Sequence, residues 1–311
     1  MDLRREVEGR VGEGIVLFNT ALVYTDMAQY SKALEYYKRA LTIQREIGDS
    51  SEESTILSNI GGVYSELAQY PQALEYYEQS LVLQREIGDR SGEGATLSSI
   101  GLVYTNFGQY PQALQYYNQA LIILRDIEDR IAEGYTLRYT GLAYHNSGQY
   151  QKALQYYEQA LAINRETGDL SGEGFSLNNI GVVHDELRQY SQALDYYKQA
   201  LIIFREIGDL TGEHLALQNI GDVYDTLSKY SQALDNYNQA LAISREIHNL
   251  RDKGNNLNFI GNVYYSLGQY TQALEYHNQA LAISSEINDP TIEGASLNNI
   301  GNVYSALGEY V

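Results

Sequence analysis

Apolar residues recur along this chain in two alternating stripes. Leu57, Ile60, Gly61 and Tyr64 fall at i, i+3, i+4 and i+7, the spacing of one helical face. Ala73, Leu74, Tyr77, Leu81 and Leu83 form a second stripe of the same kind. Both stripes return every 40 residues: YSKALEYYKRAL at 30–41 reappears as YPQALEYYEQSL at 70–81 and, after four more copies, as YTQALEYHNQAL at 270–281. Between them runs a second block, as in LSNIGGVYSELAQY at 57–70 and LNNIGNVYSALGEY at 297–310. Seven copies in register, without insertion or deletion, are the signature of a solenoid.

Each period predicts two antiparallel helices joined by short loops. Gly-Gln-Tyr at 108–110, 148–150 and 268–270 breaks the chain between them, and Pro71 and Pro111 then fall in a first turn, where a missing N–H is harmless. Gly48, Gly88, Gly168 and Gly208 suit a left-handed C-terminal cap, and the Asp after each suits the N-cap of the next helix. Glu93, Glu133, Glu173, Glu213 and Glu293 fall near the positive end of that helix. The expected fold is all-α, a single solenoid domain over 1–311. Its repeats lie at about 10–49, 50–89, 90–129, 130–169, 170–209, 210–249 and 250–289, with a lone half repeat at 290–311. Glycines at 61, 101, 141, 181, 221, 261 and 301 sit inside helices, where each costs about 1 kcal/mol relative to Ala. Close helix approach is the expected reason, with Ala73 and its equivalents facing a position that has no side chain.

Composition looks lopsided until it is placed on this register. Of 30 Tyr, 27 occupy the phases of Tyr64, Tyr70, Tyr76 and Tyr77, so their number reports packing and not low complexity. The absence of Cys removes disulfides, thiolate metal sites and cysteine nucleophiles. With 21 Lys+Arg against 40 Asp+Glu, the net charge of −19 argues against nucleic acid or an anionic membrane surface as partner. No apolar run nears the roughly 20 residues of a membrane span, and the polar start MDLRREVEGR is no signal peptide, so a soluble, cytoplasmic protein is expected. The five His occupy five different places in the repeat, two of them (His184 and His277) in place of core Tyr. No HExxH, GxSxG, P-loop, GxGxxG or EF-hand pattern appears, so no catalytic residue, cofactor or metal site is expected.

Leu57, Gly61, Tyr64, Ala73, Tyr77 and Ser80 resemble the signature positions of the tetratricopeptide repeat. The helix-ending proline is missing, and a longer second helix gives 40 residues in place of the usual 34 or so. This period, the LNNIGNVY block and the xxREIGDxxGEG joint make the chain similar to the LGN/Pins adaptors and to kinesin light chains. The resemblance implies a right-handed superhelix whose first helices line a concave groove. MDLRREVEGRVGEG resembles the end of a preceding second helix, and the last unit stops at Val311, leaving Leu297, Ile300, Tyr304 and Leu307 without a following partner. A fragment of a longer protein, or ends that meet another copy, is expected.

One row on the groove side, two residues before the packing glycine, reads Asn19, Asn59, Ser99, Tyr139, Asn179, Asn219, Phe259 and Asn299. Asn carries both a donor and an acceptor, so one side chain can bond the N–H and C=O of an extended peptide. The resemblance implies that use; the plainer alternative is a solvated polar row. Tyr139 and Phe259 interrupt the row, either to stack on ligand side chains or to fill the groove, and Asn262 is a further candidate. The three tyrosines outside the common phases, Tyr135, Tyr139 and Tyr265, share this side. So do Asp26, Glu66, Asp185, Glu186, Asp222 and Asp225, with Arg138 as their only cation. The family's carboxylate clamp, which needs several Lys or Arg beside the Asn, is therefore not expected. A neutral or basic protein or peptide segment fits better, steered by the acidic field, unless the acids serve only solubility. Two rival readings remain beside the scaffold: the sensor segment of a larger effector, and a module that self-assembles through its ends.

Overall fold

The computed structural model describes residues 3–308, with side chains from residue 9 onward. Among the described residues are fifteen α-helices and no strand. The chain divides into two compact units, Met1–Ile163 and Asn164–Val311. The first contains α1 (Leu3–Asp26), α2 (Tyr30–Ile47), α3 (Ser50–Glu66), α4 (Tyr70–Ile87), α5 (Arg90–Asn106), α6 (Tyr110–Asp126) and α7 (Arg130–Asn146), and the division falls inside α8 (Tyr150–Thr167). The second contains α9 (Leu170–Glu186), α10 (Tyr190–Ile207), α11 (Leu210–Thr226), α12 (Tyr230–Glu246), α13 (Leu250–Ser266), α14 (Tyr270–Ile287) and α15 (Pro290–Leu307). Odd-numbered helices are the first helices of the repeats and even-numbered ones the second.

The helix ends follow the local chemistry. Asp89, Asp129, Asp169 and Asp209 each accept the backbone N–H three residues on at 2.9–3.0 Å, satisfying a donor that the helix leaves free. Gly48, Gly88, Gly168 and Gly208 close the preceding helix at φ +70 to +76°. In the other loop, Gly108, Gly148 and Gly268 are left-handed, but Ala28, Ala68, Arg188 and Ser228 adopt the same conformation at φ 52–58°. Packing of the helix pair, and not the residue type, sets that turn.

At the start of the chain the expected joint is missing. α1 runs unbroken from Leu3, and the capping side chain of the later joints is missing there, since Gly9 stands where Asp89 caps a helix. Met1 and Asp2, and Tyr310 with Val311, figure in the expectations about the chain ends and lie outside the described residues.

The packing glycines serve a different neighbour from the one expected. A methyl group built on Gly61 would lie 2.9 Å from the ring of Tyr77, and on Gly101, Gly141, Gly181 and Gly221 it would lie 2.5–2.6 Å from Tyr117, Tyr157, Tyr197 and Tyr237. The aromatic ring, not Ala73 or its equivalents, fills the space. Burying such a ring contributes on the order of 2–3 kcal/mol, which offsets the helix cost of the glycine. At Gly261 the ring belongs to His277, which is fully buried. A second aromatic layer stacks Tyr64 on Tyr76, Tyr104 on Tyr116 and Tyr144 on Tyr156, with centroids 5.2–5.4 Å apart, and His184 on Tyr196 at 5.3 Å.

Successive repeats are also joined by ion pairs. The Nε of Arg45, Arg85, Arg125, Arg165 and Arg205 donates to the Glu eight residues on (Glu53, Glu93, Glu133, Glu173 and Glu213) at 2.6–2.8 Å. Each bond ties the end of a second helix to the first turn of the next repeat. Burial would raise the Glu93 pKa, but hydrogen bonds from Arg85 and Arg90 outweigh it and hold the carboxyl below its ordinary value. The series stops at Arg245, where the residue eight positions on is Lys253 and not a glutamate. On α15, Leu297 is 51% exposed where the equivalent Leu57 is 1% exposed.

Candidate functional site

On one side of each unit the first helices of successive repeats touch: α3 with α5 and α5 with α7, α9 with α11 and α13 with α15. Side-chain hydrogen bonds stitch these contacts, Ser58 with Thr96 at 3.0 Å and Ser98 with Thr136 at 2.6 Å in the first unit. In the second, Asn219 donates to Asn178 at 3.0 Å and Asn258 to Ser296 at 2.9 Å. Beside these stitches lies the row singled out from the sequence.

In the first unit Asn19 is exposed and Asn59 half-buried, its amide donating to the Thr55 carbonyl of its own helix at 2.8 Å. Ser99 is half-buried and hydrogen-bonds the Ala95 carbonyl. Tyr139 stacks on the buried Tyr117 at 6.4 Å, and the Arg138 guanidinium lies over the Tyr139 ring at 4.7 Å and the Tyr135 ring at 5.7 Å. Asp26 and Glu66 are exposed. Between α3 and α5 a cleft of about 490 Å³ opens, lined by Asn59 and Glu66 together with Ser58, Gly62, Gln84 and Thr96, which the sequence reading did not single out. Its signal was present: Gly62 stands where Leu22, Leu102 and Leu142 stand in other repeats of this unit.

The second unit carries the other four acids, Asp185, Glu186, Asp222 and Asp225. Asn179, Asn219, Asn262 and Asn299 are half-buried, and Asn219 is held by Asn178. Phe259 stacks on the buried Tyr237 at 5.5 Å, as Tyr139 does on Tyr117, so both aromatic interruptions of the row have partners within the protein. Asp222 accepts the Tyr237 hydroxyl at 2.6 Å. Burial, helped by the charges of Asp185 and Asp225 and opposed by that hydrogen bond, pushes the Asp222 pKa up to about 6. Burial and the neighbouring Glu186 raise Asp185, and burial raises Asp225. Tyr265 is 38% exposed and leans on Tyr270. Among the described residues no His, Asp and Glu group is arranged to hold a metal ion, and no helix is long and apolar enough to cross a membrane.

The model of the tetratricopeptide repeat family matches residues 52–126, 93–166, 133–206, 175–246 and 252–311, and a second model of the same repeat matches 16–47. The chain belongs to the tetratricopeptide repeat family. Neither model describes a catalytic family. Repeats of this kind form protein–protein interaction scaffolds, and the all-α repeat array is that of the family. No curated protein matches the sequence. Among solved structures, the array is similar to the Signal Transduction ATPase with Numerous Domains protein with a tetratricopeptide repeat sensor from Pyrococcus horikoshii. That match has 17% identity and a TM-score of 0.72, covering 96% of this chain and 45% of that one. A Rap protein complexed with competence and sporulation factor matches at 15% identity and a TM-score of 0.59, over 98% of this chain and 99% of that one. Kinesin-light-chain-type repeats from Podosopora anserina match at 17% identity and 0.52, over 62% and 95%. The chain thus spans less than half the length of the first of these.

Proposed function

We propose that this array is a non-enzymatic scaffold that holds an extended protein or peptide segment, neutral or basic, along the side where its first helices meet. The observation that carries the reading is the half-buried pair Asn179 and Asn219 on that side of the second unit, set among Asp185, Asp222 and Asp225. Half-burial fixes each amide while leaving it open to a backbone, and a fixed amide offers N–H and C=O partners without regard to ligand sequence. The acidic field speeds encounter with basic segments and repels acidic ones. The similar Rap protein, complexed with competence and sporulation factor, supports a binding role for an array of this fold.

Selection of random nonapeptides against the whole chain, followed by affinity measurement on the winners, tests the reading. Asn179→Ala and Asn219→Ala should each weaken the selected peptides about tenfold, and binding should fall with ionic strength. Peptides that bind both variants as tightly as the unaltered chain overturn it. The second reading, a sensor segment of a larger effector, is supported by the 96% of this chain that aligns with the sensor-bearing ATPase.

A further inference from the structure

The cleft between α3 and α5 is built differently from the rest of the row. Its opening is made by Gly62, where a Cβ would have only one neighbour within 4 Å, the Tyr77 hydroxyl at an ordinary 3.6 Å. Leucine occupies the same register at 22, 102 and 142, so a side chain that closes the surface elsewhere is missing here. Ser58, Ser80 and Thr96 form a hydroxyl chain beside it, with bonds of 2.8 and 3.0 Å centred on Ser58. The cleft is also lined by Gln84, which is 3% exposed, and the Oε1 of its amide has no hydrogen-bond partner. A buried acceptor left unmatched is costly, so it favours a ligand that brings a donor.

The other polar groups point the same way. Glu66 and Asp89 contribute carboxylates, and Lys and Arg are absent from the lining. The site is rich in acceptors, holds two negative charges, and is about 490 Å³ in volume, ample for one side chain. Ammonium and guanidinium groups carry donors and no acceptor. We infer that this cleft is the specificity pocket of the array and takes the cationic side chain, Lys or Arg, of the bound segment, with Gln84 and Glu66 as its acceptors. The inference rests on the peptide-scaffold reading and adds to it which side chain is read and where.

The same random nonapeptide selection tests it, run in parallel on the unaltered chain, Gly62→Leu and Glu66→Gln. Leucine at 62 fills the opening with the residue native to the neighbouring register and improves helix propensity, so the fold should hold, as thermal unfolding by circular dichroism will show. The unaltered chain should enrich a Lys or Arg at one fixed peptide position. Both variants should lose that enrichment and bind the selected peptides at least about tenfold more weakly. Selected peptides with no basic position, or a basic position still enriched against Gly62→Leu, overturn the pocket and leave the scaffold reading standing. A selection that yields no binder overturns both. Comparison of Lys with Arg at the enriched position then distinguishes an ammonium from a guanidinium reader.

Discussion

In the N-terminal unit the buried Tyr37 and Tyr117 hydroxyls meet Thr25 and Thr105, at 3.3 and 3.0 Å, whereas in the C-terminal unit Tyr237 meets the carboxylate of Asp222 and Tyr197 faces the charges of Asp185 and Asp222 with no hydrogen bond of its own. The same fold position therefore has a neutral partner in one unit and an ionisable one in the other. The first arrangement is indifferent to pH over the physiological range. The second is not, and the substitution of His277 for a tyrosine adds a further titrating group to that unit.

The largest expected effect comes from His277→Tyr. Burial holds His277 down at about 4, below the ordinary 6.5, so the unfolded chain binds the proton more readily and stability is lost as the pH falls from about 6.5 to 4. Urea unfolding at pH 7 and pH 4.5 should show the variant gaining up to about 3 kcal/mol relative to the unaltered chain over that interval. An unchanged difference would show that His277 does not titrate as a buried group.

Asp222→Asn should move the other way by about 1–3 kcal/mol. The folded pKa of Asp222, about 6, lies above its ordinary 3.8, so the folded state holds the proton more tightly and stability declines as the pH rises from about 4 through 6. The amide keeps an acceptor for Tyr237 without the charge, so the variant should be the more stable protein at pH 8 and lose that advantage near pH 4. Equal stability at both pH values would erase the contrast between the units. The smallest of the three is Thr105→Val, which leaves the Tyr117 hydroxyl without its partner. It should cost about 1 kcal/mol, the same at pH 5 and pH 8, and any pH dependence would place a titrating group in the neutral unit.

How much of this was legible depends on how far apart the cause and the effect lie along the chain. Helix ends were readable because Asp89 caps within three residues and Gly88 turns the chain at one. The loss of the first joint is written in Gly9 once its equivalents are known to cap. The partner of the packing glycine was misplaced from Tyr77 to Ala73, since helical spacing gives the face of a residue but not the reach of its side chain. The Arg85–Glu93 bond spans a loop whose geometry the period does not specify. The cleft at Gly62 was passed over because a missing side chain in a glycine-rich repeat looks like one more packing glycine. Of the row itself, the spacing recovered the position of Asn219 but not its bond to Asn178.

The series of Arg–Glu bonds has a consequence for how the molecule opens. A repeat array unfolds in segments whose boundaries lie at its weakest nearest-neighbour couplings. Each ion pair is worth at most about 1 kcal/mol, but its absence between Arg245 and Lys253 replaces attraction with like charge at a single junction. Beyond that junction Arg251 of α13 binds Asp289, the cap of α15, at 2.7 Å, which ties α13 to the start of α15. Helices α13, α14 and α15 should therefore detach as one cooperative segment. In native-state hydrogen exchange their amide protons should share a common opening free energy, lower than that of α9 to α11, and Lys253→Glu should raise it toward theirs.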